Sequence, residues 1–245
     1  GYATYSLLKN KYKDEYVIIG IDIKIDSSKF DKDTYLFASD ITNVDNINFI
    51  KDSIKEITPK LYAIINLAGI FKMESIIEGS KEDLREIIEV NFFGMYNLNR
   101  ALFDLLESGS KIINMSSELA SYSPQPFMAY YAMTKKMVSC YSDVLRRECN
   151  YLGIKVITIE SGSMKTKLLD KANSEYDEMV KNTSRFSKQF EKLKYMMDNE
   201  LKKTNSPDII AKKIETILEK KNPKIRYRIK RSFALRFMNL LPEKV

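Results

Sequence analysis

Apolar and polar residues follow two periods along the chain, and these periods separate predicted strands from predicted helices. Short apolar runs rich in β-branched residues indicate strands that are covered on both faces. Such runs span residues 15–23, 34–42, 60–70, 111–117 and 153–162. A sixth run, at 224–230, alternates apolar and basic residues and predicts a strand at a sheet edge.

Segments with apolar residues every three or four positions predict the helices between these strands. They span residues 3–11, 43–57, 80–105, 126–151, 168–203, 208–220 and 232–241. Strands that alternate with helices predict an α/β fold, in which a doubly wound, mostly parallel sheet lies between two helix layers. No polar linker divides residues 1–245, so we expect a single domain, with ligand bound where the strands end.

Composition places the chain among ordinary globular proteins and favours a reducing compartment. Of its 245 residues, 44% are hydrophobic and 30% are charged. No run approaches the roughly 18 apolar residues of a membrane helix, and GYATYSLLKN does not have the pattern of a secretory signal. Cys140 and Cys149 give neither a disulfide framework nor a metal spacing, so we expect a cytoplasmic protein.

The numbers of histidines and glycines restrict the kinds of catalytic and binding site that the chain can form. There is no histidine, which excludes Ser-His-Asp and Cys-His catalysis and any His-ligated metal site. Acid–base chemistry must therefore use tyrosine, lysine or a carboxylate, and we expect no metal. The eight glycines are scattered, so the chain as given contains no Gly-rich phosphate loop.

The net positive charge is concentrated in one segment near the C-terminal end of the sequence. The net charge is +7, and residues 220–236 hold eight basic residues and no acidic one, so the rest of the chain is close to neutral. We therefore expect no nucleic-acid partner. For residues 220–245, contact with an anionic membrane competes with the simpler interpretation of a solvated edge strand and a helix that caps the core.

The Tyr-x-x-x-Lys spacing places a tyrosine and a lysine on one helix face, where the ammonium favours ionisation of the phenol. Such a tyrosine can exchange a proton with a substrate oxygen. The spacing occurs at Tyr5/Lys9, Tyr131/Lys135 and Tyr151/Lys155. We favour Tyr131/Lys135, because only this pair begins a helix just after a strand that ends in hydroxyl side chains.

Serine and asparagine side chains near that helix are further candidates. Ser116 and Ser117 end the fourth strand, where a hydroxyl can polarise a carbonyl, although serines there also serve as turn or cap residues. Asn91 lies on an apolar helix face. It is either a hydrogen-bonded core residue or the holder of a water near Lys135.

Asp22 ends the first strand and is a candidate for nucleotide binding. A carboxylate there accepts hydrogen bonds from a ribose, and it repels a 2′-phosphate. It therefore favours NAD over NADP, although Lys24 and Lys29 weaken that preference. The alternative is an ordinary solvated aspartate at a strand end.

In order and spacing, these residues resemble the classical short-chain dehydrogenase/reductase family along the whole chain. Each motif is weak alone, and seven in the family's order are specific together. They are ASDIT (38–42), NLAG (66–69), VNFFG (90–94), INMSS (113–117), YYAMTKK (130–136), YSDVLRREC (141–149) and SGSMKT (161–166). Two positions depart from the pattern: Leu67 replaces an asparagine and Ser161 replaces a proline.

The resemblance implies a Rossmann-like fold and a role for each matching residue. Tyr131 is then the general acid/base, Lys135 lowers its pKa and binds the nicotinamide ribose, and Ser117 orients the reacting oxygen. Asn91 holds a proton-relay water, and Asp22 serves the adenosine end. The remaining expected cofactor contacts are Gly1, Asp40, Ile41, Asn66, Ala68, Gly69, Ser161, Gly162, Met164 and Thr166.

The distance between serine and tyrosine leaves an alternative open. Ser117 precedes Tyr131 by 14 residues, whereas the family often has 13, so we assume a one-residue insertion. A spacing of 13 would fall on Glu118. Pairing Ser117 with Tyr130 would restore 13, but Tyr130 has Thr134, and no lysine, four residues later.

The family's first strand and most of its Gly-rich loop have no counterpart in the chain, and GYAT resembles the end of that loop. Either the chain lacks the beginning of a normal enzyme, or the protein has lost its pyrophosphate site. That strand is central in the family, so without it we expect a sheet divided by a gap about one strand wide.

We expect an NAD(P)-dependent oxidoreductase that transfers a hydride between the nicotinamide and a secondary alcohol or ketone, with NAD as the cofactor and NADP left open. The alternative is a non-catalytic binding or regulatory protein on the same fold. By analogy with the family, we expect a homodimer or homotetramer that assembles through the helices of Asn91 and Tyr131.

Residues 165–203 are the expected substrate lid. Their apolar side chains suggest an apolar, lipid- or steroid-like substrate, unless they only pack the helices. These side chains are Met179, Phe186, Phe190, Tyr195, Met196 and Met197.

Overall fold

The computed structural model describes residues 1–25, 35–190 and 204–240. Strands and helices alternate along these residues as the hydrophobic pattern predicts. The strands are β1 (Ile19–Asp22), β2 (Tyr35–Ala38), β3 (Leu61–Asn66), β4 (Leu106–Ser117), β5 (Lys155–Ser161) and β6 (Arg226–Ile229). The helices are α1 (Tyr2–Tyr12), α2 (Val44–Ile57), α3 (Lys81–Ile88), α4 (Met95–Leu102), α5 (Ala129–Asn150), α6 (Lys167–Asn182), α7 (Asp208–Glu219) and α8 (Phe233–Met238).

The helices begin where the sequence supplies capping side chains. Asn43 accepts hydrogen bonds from the first main-chain amides of α2. Ser80, the N-cap of α3, accepts one from Asp83 N at 3.0 Å and donates from its hydroxyl to the Asp83 carboxylate at 2.7 Å. These caps satisfy amides that would otherwise lack intrahelical partners, so the starts of both helices are fixed locally.

Strands β3, β4, β5 and β6 form a parallel sheet in that order, and β1 pairs in parallel with β2 in a second sheet. Within the described residues no ladder joins β1 to β3, so the predicted division of the sheet is present. The two sheets nevertheless share a core, because Ile19 and Ile21 of β1 pack with Ile64 of β3 and Ile50 of α2.

Alternate residues of the central strands face opposite helix layers. Ile113 of β4 packs with Leu8 of α1 and Ile214 of α7. Its neighbour Ile112 packs with Cys149 of α5, on the other face. Helices α2 and α4 cover the same second face further along the sheet. The predicted three-layer, doubly wound arrangement is therefore confirmed, with all strand carboxyl ends at one edge.

Several elements differ from the predicted bounds. The helix predicted over 168–203 ends at Asn182, because the backbone at Thr183 is extended. Strand β4 begins at Leu106, because Leu106 pairs with Leu61 before a register shift, although the polar residues 107–110 resemble a turn. The single long helix predicted over 80–105 is three segments, since a π-helical turn at Glu89–Gly94 separates α3 from α4 and a 3₁₀ turn follows at Phe103–Leu105.

Some predictions fall outside the described residues, namely Lys29, the last part of the expected lid (residues 191–203) and the C-terminal residues 241–245. Among the helices that the structure describes, none combines the length and the apolar character that crossing a bilayer would require.

Candidate active site

The carboxyl ends of β3 and β4 and the first turns of α5 bring the predicted catalytic residues together. The hydroxyl of Ser117, the last residue of β4, accepts from Leu119 N at 3.2 Å and lies close enough to the phenol of Tyr131 to act on its pKa. The Tyr131 ring packs against Phe71, with ring centres 5.1 Å apart. Lys135 lies one helical turn further along α5, with its Nζ 5.6 Å from the centre of the Tyr131 ring.

The electrostatics of the pair differ from the prediction. Burial raises the pKa of Tyr131 to about 12, and the hydroxyl of Ser117 offsets only part of this effect. Burial also lowers the pKa of Lys135 to about 8. Lys135 Nζ donates to the main-chain oxygen of Met115 at 3.1 Å. The ammonium is therefore held by the strand, and desolvation outweighs its influence on the phenol.

The structure distinguishes the two adjacent serines. Ser116 Oγ donates to the main-chain oxygen of Lys135 at 3.0 Å and lies 2.8 Å from Ser139 Oγ. Because neighbouring strand residues face opposite ways, Ser116 points into the core and fastens α5, whereas Ser117 faces the phenol of Tyr131. Ser117 is the serine that can reach a substrate bound at Tyr131.

The two adjacent tyrosines also have different partners. Tyr130 donates its hydroxyl to the main-chain oxygen of Ser80 at 3.0 Å. The residue after Ser117, Glu118, begins a 3₁₀ turn, and its carboxylate accepts a hydrogen bond from Ser232 N at 2.7 Å. These contacts favour Tyr131 over Tyr130, and they give Glu118 a structural partner of its own.

Asn91 lies in the π-helical turn, and its side chain is occupied by protein partners. Its Oδ1 accepts from Ile70 N at 2.7 Å, and its Nδ2 donates to Ile70 O at 2.9 Å and to Thr134 Oγ1 at 3.1 Å. The amide thus fixes the chain after β3 against α5. That Asn91 holds a water stays a prediction. Its contacts show that the side chain positions the main chain at Ile70.

Gly69 lies where the chain after β3 approaches the catalytic residues. A Cβ at this position would lie 3.2 Å from Asn91 Oδ1 and 3.6 Å from Lys135 Nζ. Ala68 beside it is exposed. The chain after β3 is therefore exposed at Ala68, and at Gly69 it lies close to the ammonium of Lys135.

The predicted adenosine residues lie at the ends of β1 and β2. Asp22 is exposed, and a Cβ at Gly1 would lie 4.0 Å from its Oδ2, so these two predicted contacts are neighbours. Asp40 Oδ1 accepts hydrogen bonds from the amide and the hydroxyl of Thr42, at 2.9 and 2.8 Å. Asp22 Oδ1 likewise accepts from Lys24 N at 3.0 Å, so each aspartate fixes the turn that follows its strand, and Asp22 is the more exposed of the two.

The contacts of Ile41 and Gly94 join the end of β2 to the π-helical turn. A Cβ at Gly94 would lie 2.7 Å from the Ile41 side chain. Ile41 therefore packs against a main-chain surface that only glycine leaves open. This packing holds the turn after β2 beside the helix of Asn91.

The last group of expected cofactor contacts, Ser161, Gly162, Met164 and Thr166, lies at and after the end of β5. Ser161 is buried and lies opposite Ser117 in the register of β4 and β5. Gly162 N donates to Ile229 O at 2.9 Å, and a Cβ at Gly162 would collide with the Lys230 carbonyl. Met164 bridges to Asn205, and Thr166 Oγ1 lies 3.4 Å from Met164 O. The segment is thus placed at the same edge of the sheet.

Asn66 belongs to a buried amide network that the sequence did not reveal. Its Nδ2 donates to Asn99 Oδ1 and to Asn114 Oδ1, both at 2.8 Å. Asn114 Nδ2 then donates to Ser142 Oγ at 2.9 Å. Asn66 therefore ties β3 to β4, α4 and α5. The sequence feature that could have indicated this network is Asn114, a single amide side chain within the apolar run of β4.

The described part of the expected lid packs beside Tyr131. Tyr176, Met179 and Phe190 are buried in a cluster with Phe71, and Tyr131 packs against that cluster. Glu78 fastens the end of α6, since its carboxylate accepts from Thr183 Oγ1 at 2.7 Å and from Ser184 Oγ at 2.8 Å. Tyr195, Met196 and Met197 lie outside the described residues.

The two other Tyr-x-x-x-Lys pairs lie away from this arrangement. The Tyr5 side chain packs against Gly20 of β1, where a Cβ would lie 3.2 Å from its ring. Tyr151 is 91% exposed at the end of α5. Neither pair meets a serine at a strand end as Tyr131 does.

Several curated proteins are similar in sequence to part of the chain. The chain is 36% identical over 135 residues to 17-beta-hydroxysteroid dehydrogenase type 6 of Rattus norvegicus, covering 54% of the chain and 42% of the relative. It is 31% identical over 134 residues to NADPH-dependent 1-acyldihydroxyacetone phosphate reductase of Schizosaccharomyces pombe, covering 54% and 45%. The aligned part is thus less than half the length of these relatives.

A relative from Ornithobacterium rhinotracheale, NADPH-dependent 3-dehydrocapnine reductase, aligns over 91% of the chain and 82% of its own length, with 28% identity. Among solved structures, a short-chain dehydrogenase from Streptomyces avermitilis superimposes with a TM-score of 0.77 at 19% identity, covering 97% of this chain and 86% of the other. This likeness shows the fold. The sequence profile described as short chain dehydrogenase matches residues 22–177. The chain therefore belongs to the short-chain dehydrogenase family.

Proposed function

We propose that the protein is an NAD(P)-dependent oxidoreductase that transfers a hydride between the nicotinamide and the carbon of a secondary alcohol or ketone. The observation that carries this proposal is the convergence of Ser117, Tyr131 and Lys135 at the carboxyl edge of the sheet. The three side chains supply a proton donor, an orienting hydroxyl and a cation without any histidine.

Each of these residues has a part in moving a proton at the substrate oxygen. In the reductive direction, Tyr131 donates its phenolic proton to that oxygen, and a pKa of about 12 keeps the phenol protonated until the oxygen gains negative charge. Ser117 holds the same oxygen by a hydrogen bond. Lys135 stabilises the phenolate that forms, because its ammonium lies near the ring.

A bound nicotinamide cofactor would supply the hydride. Lys135 and the main chain at 68–69 would hold its nicotinamide end, and Asp22 would hold the adenosine ribose. Asn91 fixes the loop between these two regions through Ile70. The residues after β5, Met164 and Thr166, would close the carboxamide side.

NAD is our expected cofactor, because the exposed carboxylate of Asp22 accepts hydrogen bonds from a free ribose and repels a 2′-phosphate. Relatives from S. pombe and O. rhinotracheale carry NADPH in their names, and a solved structure from Burkholderia cenocepacia contains NADP at 20% identity and a TM-score of 0.63. Both cofactors therefore belong in the assay.

An apolar substrate suits the surroundings of Tyr131. Phe71, Phe127 and Phe190 belong to the apolar cluster on which the tyrosine packs. The names of the rat and S. pombe relatives refer to a hydroxysteroid and to an acyl compound, which supports the same substrate class.

A homodimer or homotetramer is part of the proposal, and so is the cytoplasm as its location. Phe93 in the π-helical turn is 39% exposed, and Val144 on α5 is 49% exposed. Both lie on the helical segments through which assembly is expected. Light scattering of the purified protein, with Val144→Asp as the variant, measures whether this face is used.

The decisive experiment is oxidation of a panel of secondary alcohols, including sterols and long-chain alcohols, with NAD and with NADP, followed by the absorbance of the reduced nicotinamide. Cofactor titration runs in parallel. Turnover with at least one alcohol that depends on Tyr131 supports the proposal. A protein that binds neither cofactor, or that turns over equally well with Tyr131→Phe, contradicts it.

A further inference from the structure

The C-terminal segment exposes large apolar side chains next to cations. We call Lys230, Arg231, Phe233, Arg236, Phe237 and Leu240 the C-terminal surface. Phe233 is 80% exposed, Phe237 56% and Leu240 77%. Single exposed apolar residues are ordinary, but three within eight residues on and beside one short helix form a patch that needs a partner.

The cations of this surface differ from the arginines of β6 in their ion pairing. In the described parts of the chain, Lys230, Arg231 and Arg236 make no ion pair, whereas Arg226 and Arg228, just before them, both pair with the buried carboxylate of Glu160. Among the described residues, no ion pair therefore balances the positive charge of these three side chains. This charge is available to anionic groups outside the protein.

A groove of about 690 Å³ joins the charged and the apolar side chains. Arg231 lies over the Tyr122 ring, with its guanidinium carbon 4.3 Å from the ring centre. Tyr122 is buried, and neither its hydroxyl nor Arg231 Nε has a hydrogen-bond partner among the residues that the structure describes. The groove thus places the guanidinium of Arg231, held over a buried aromatic ring, beside exposed apolar residues, which fits a phosphate headgroup with hydrocarbon next to it.

The C-terminal surface is fastened to the edge of the sheet that carries the site. Ser232 N donates to the Glu118 carboxylate at 2.7 Å, and Ser123 N donates to Asn239 Oδ1 at 3.0 Å. Glu118 directly follows Ser117. A partner bound at the C-terminal surface would therefore lie on the same side of the molecule as the candidate active site.

We propose that the C-terminal surface docks the protein onto an anionic lipid bilayer. Phe233, Phe237 and Leu240 enter the headgroup boundary, while Arg231 and Arg236 bind lipid phosphates. A bilayer fits better than an acidic protein, because the exposed apolar groups on the short helix α8 are flanked by cations and no acidic residue lies between 220 and 240. The contact is peripheral, and it does not depend on the proposed activity.

The test is flotation of the purified protein with vesicles of phosphatidylcholine alone and of phosphatidylcholine mixed with phosphatidylglycerol. We expect binding to the mixed vesicles only, and release at high salt. Each basic residue near an anionic surface contributes roughly a fivefold factor to partitioning, so Arg231→Gln with Arg236→Gln lowers binding roughly 30-fold. Phe233→Ser with Phe237→Ser also lowers it, since the inserted apolar area is lost.

Lys55→Gln with Lys212→Gln is the matched control, because both lysines are exposed on other helices. This variant should bind like the unmodified protein, and equal thermal unfolding of all variants shows that they fold. The proposal is overturned if the protein does not bind anionic vesicles or if it binds neutral vesicles equally well. It is also overturned if the control variant loses as much binding as the arginine variant. Self-association that Phe233→Ser with Phe237→Ser abolishes, without vesicle binding, assigns the surface to a second copy and overturns it as well.

Discussion

Lys135 donates a hydrogen bond from Nζ to the main-chain oxygen of Met115 at 3.1 Å. Met115 lies two residues before Ser117, so the carboxyl end of β4 holds both the ammonium and the hydroxyl that face Tyr131. The three functional groups are therefore positioned by one strand and one helix, and rigid elements of this kind keep a catalytic geometry constant.

Tyr131→Phe should lower turnover by a factor on the order of 10²–10⁴, because it removes the proton donor and little else. The matched variant is Tyr130→Phe, whose hydroxyl donates to Ser80 O away from the site. It should keep turnover within a small factor. Steady-state kinetics measure both variants, and cofactor titration shows whether Tyr131→Phe still binds the nicotinamide. Similar losses in the two variants would contradict the assignment of Tyr131.

Ser117→Ala should lower kcat by a factor on the order of 10²–10³, because the substrate oxygen loses a preorganised hydrogen bond. Ser116→Ala should act on stability instead, costing about 1 kcal/mol through the lost hydrogen bond to Lys135 O. Urea unfolding and kinetics on both variants separate the two effects. A larger loss of kcat in Ser116→Ala than in Ser117→Ala would reverse the assignment.

Asp22→Ser should shift cofactor preference towards NADP, with a rise of roughly 10- to 100-fold in kcat/KM for NADP relative to NAD, since a like charge next to the 2′-phosphate is removed. Asp52→Asn removes an exposed carboxylate from α2 and serves as the control. Its cofactor ratio should stay unchanged. If Asp22→Ser leaves the ratio as it was, Asp22 does not bind the ribose.

Much of the fold could be predicted, because the signals are local. The apolar runs of β3 and β5 depend on neighbouring residues, and both strands form where the pattern predicts them. The division between β1 and β3 also followed from the sequence, since it concerns the order of elements. The π-helical turn around Asn91 has no comparable local signature.

The parts of the site that could not be predicted depend on distant segments. Ser116 and Ser117 are equivalent in a one-dimensional pattern, and only the position of α5 decides which of them faces Tyr131. The raised pKa of Tyr131 comes from burial by residues such as Phe71, 60 positions earlier in the chain. The two partners of Asn66, Asn99 and Asn114, likewise come from separate elements.

Asn114→Ala should lower the free energy of unfolding by about 2–4 kcal/mol, because it leaves the buried amide of Asn66 and the hydroxyl of Ser142 each without one partner. Ser142→Ala is the milder variant, expected at about 1 kcal/mol, since the bond between Asn66 and Asn114 survives. Urea denaturation measures both. A cost for Asn114→Ala no greater than that for Ser142→Ala would show that the network contributes little.

The buried ammonium of Lys135 makes stability depend on pH in a known direction. Its pKa is about 8 in the folded protein, against an ordinary value of 10.5. Between these values the unfolded chain binds more protons at this lysine, so its contribution to the free energy of unfolding rises with pH across this window. Below pH 8 the folded state bears the full cost of the buried charge.

Lys135→Met removes that cost. The free energy of unfolding of the variant minus that of the unmodified protein should therefore be roughly 3 kcal/mol larger at pH 7 than at pH 10.5. Lys136→Met, an exposed neighbour on the same helix, is the control and should show no such dependence. Urea unfolding at a series of pH values measures both. If the difference in the free energy of unfolding between Lys135→Met and the unmodified protein is constant over this range, Lys135 is not desolvated. Its lowered pKa and its buried position would then both be wrong.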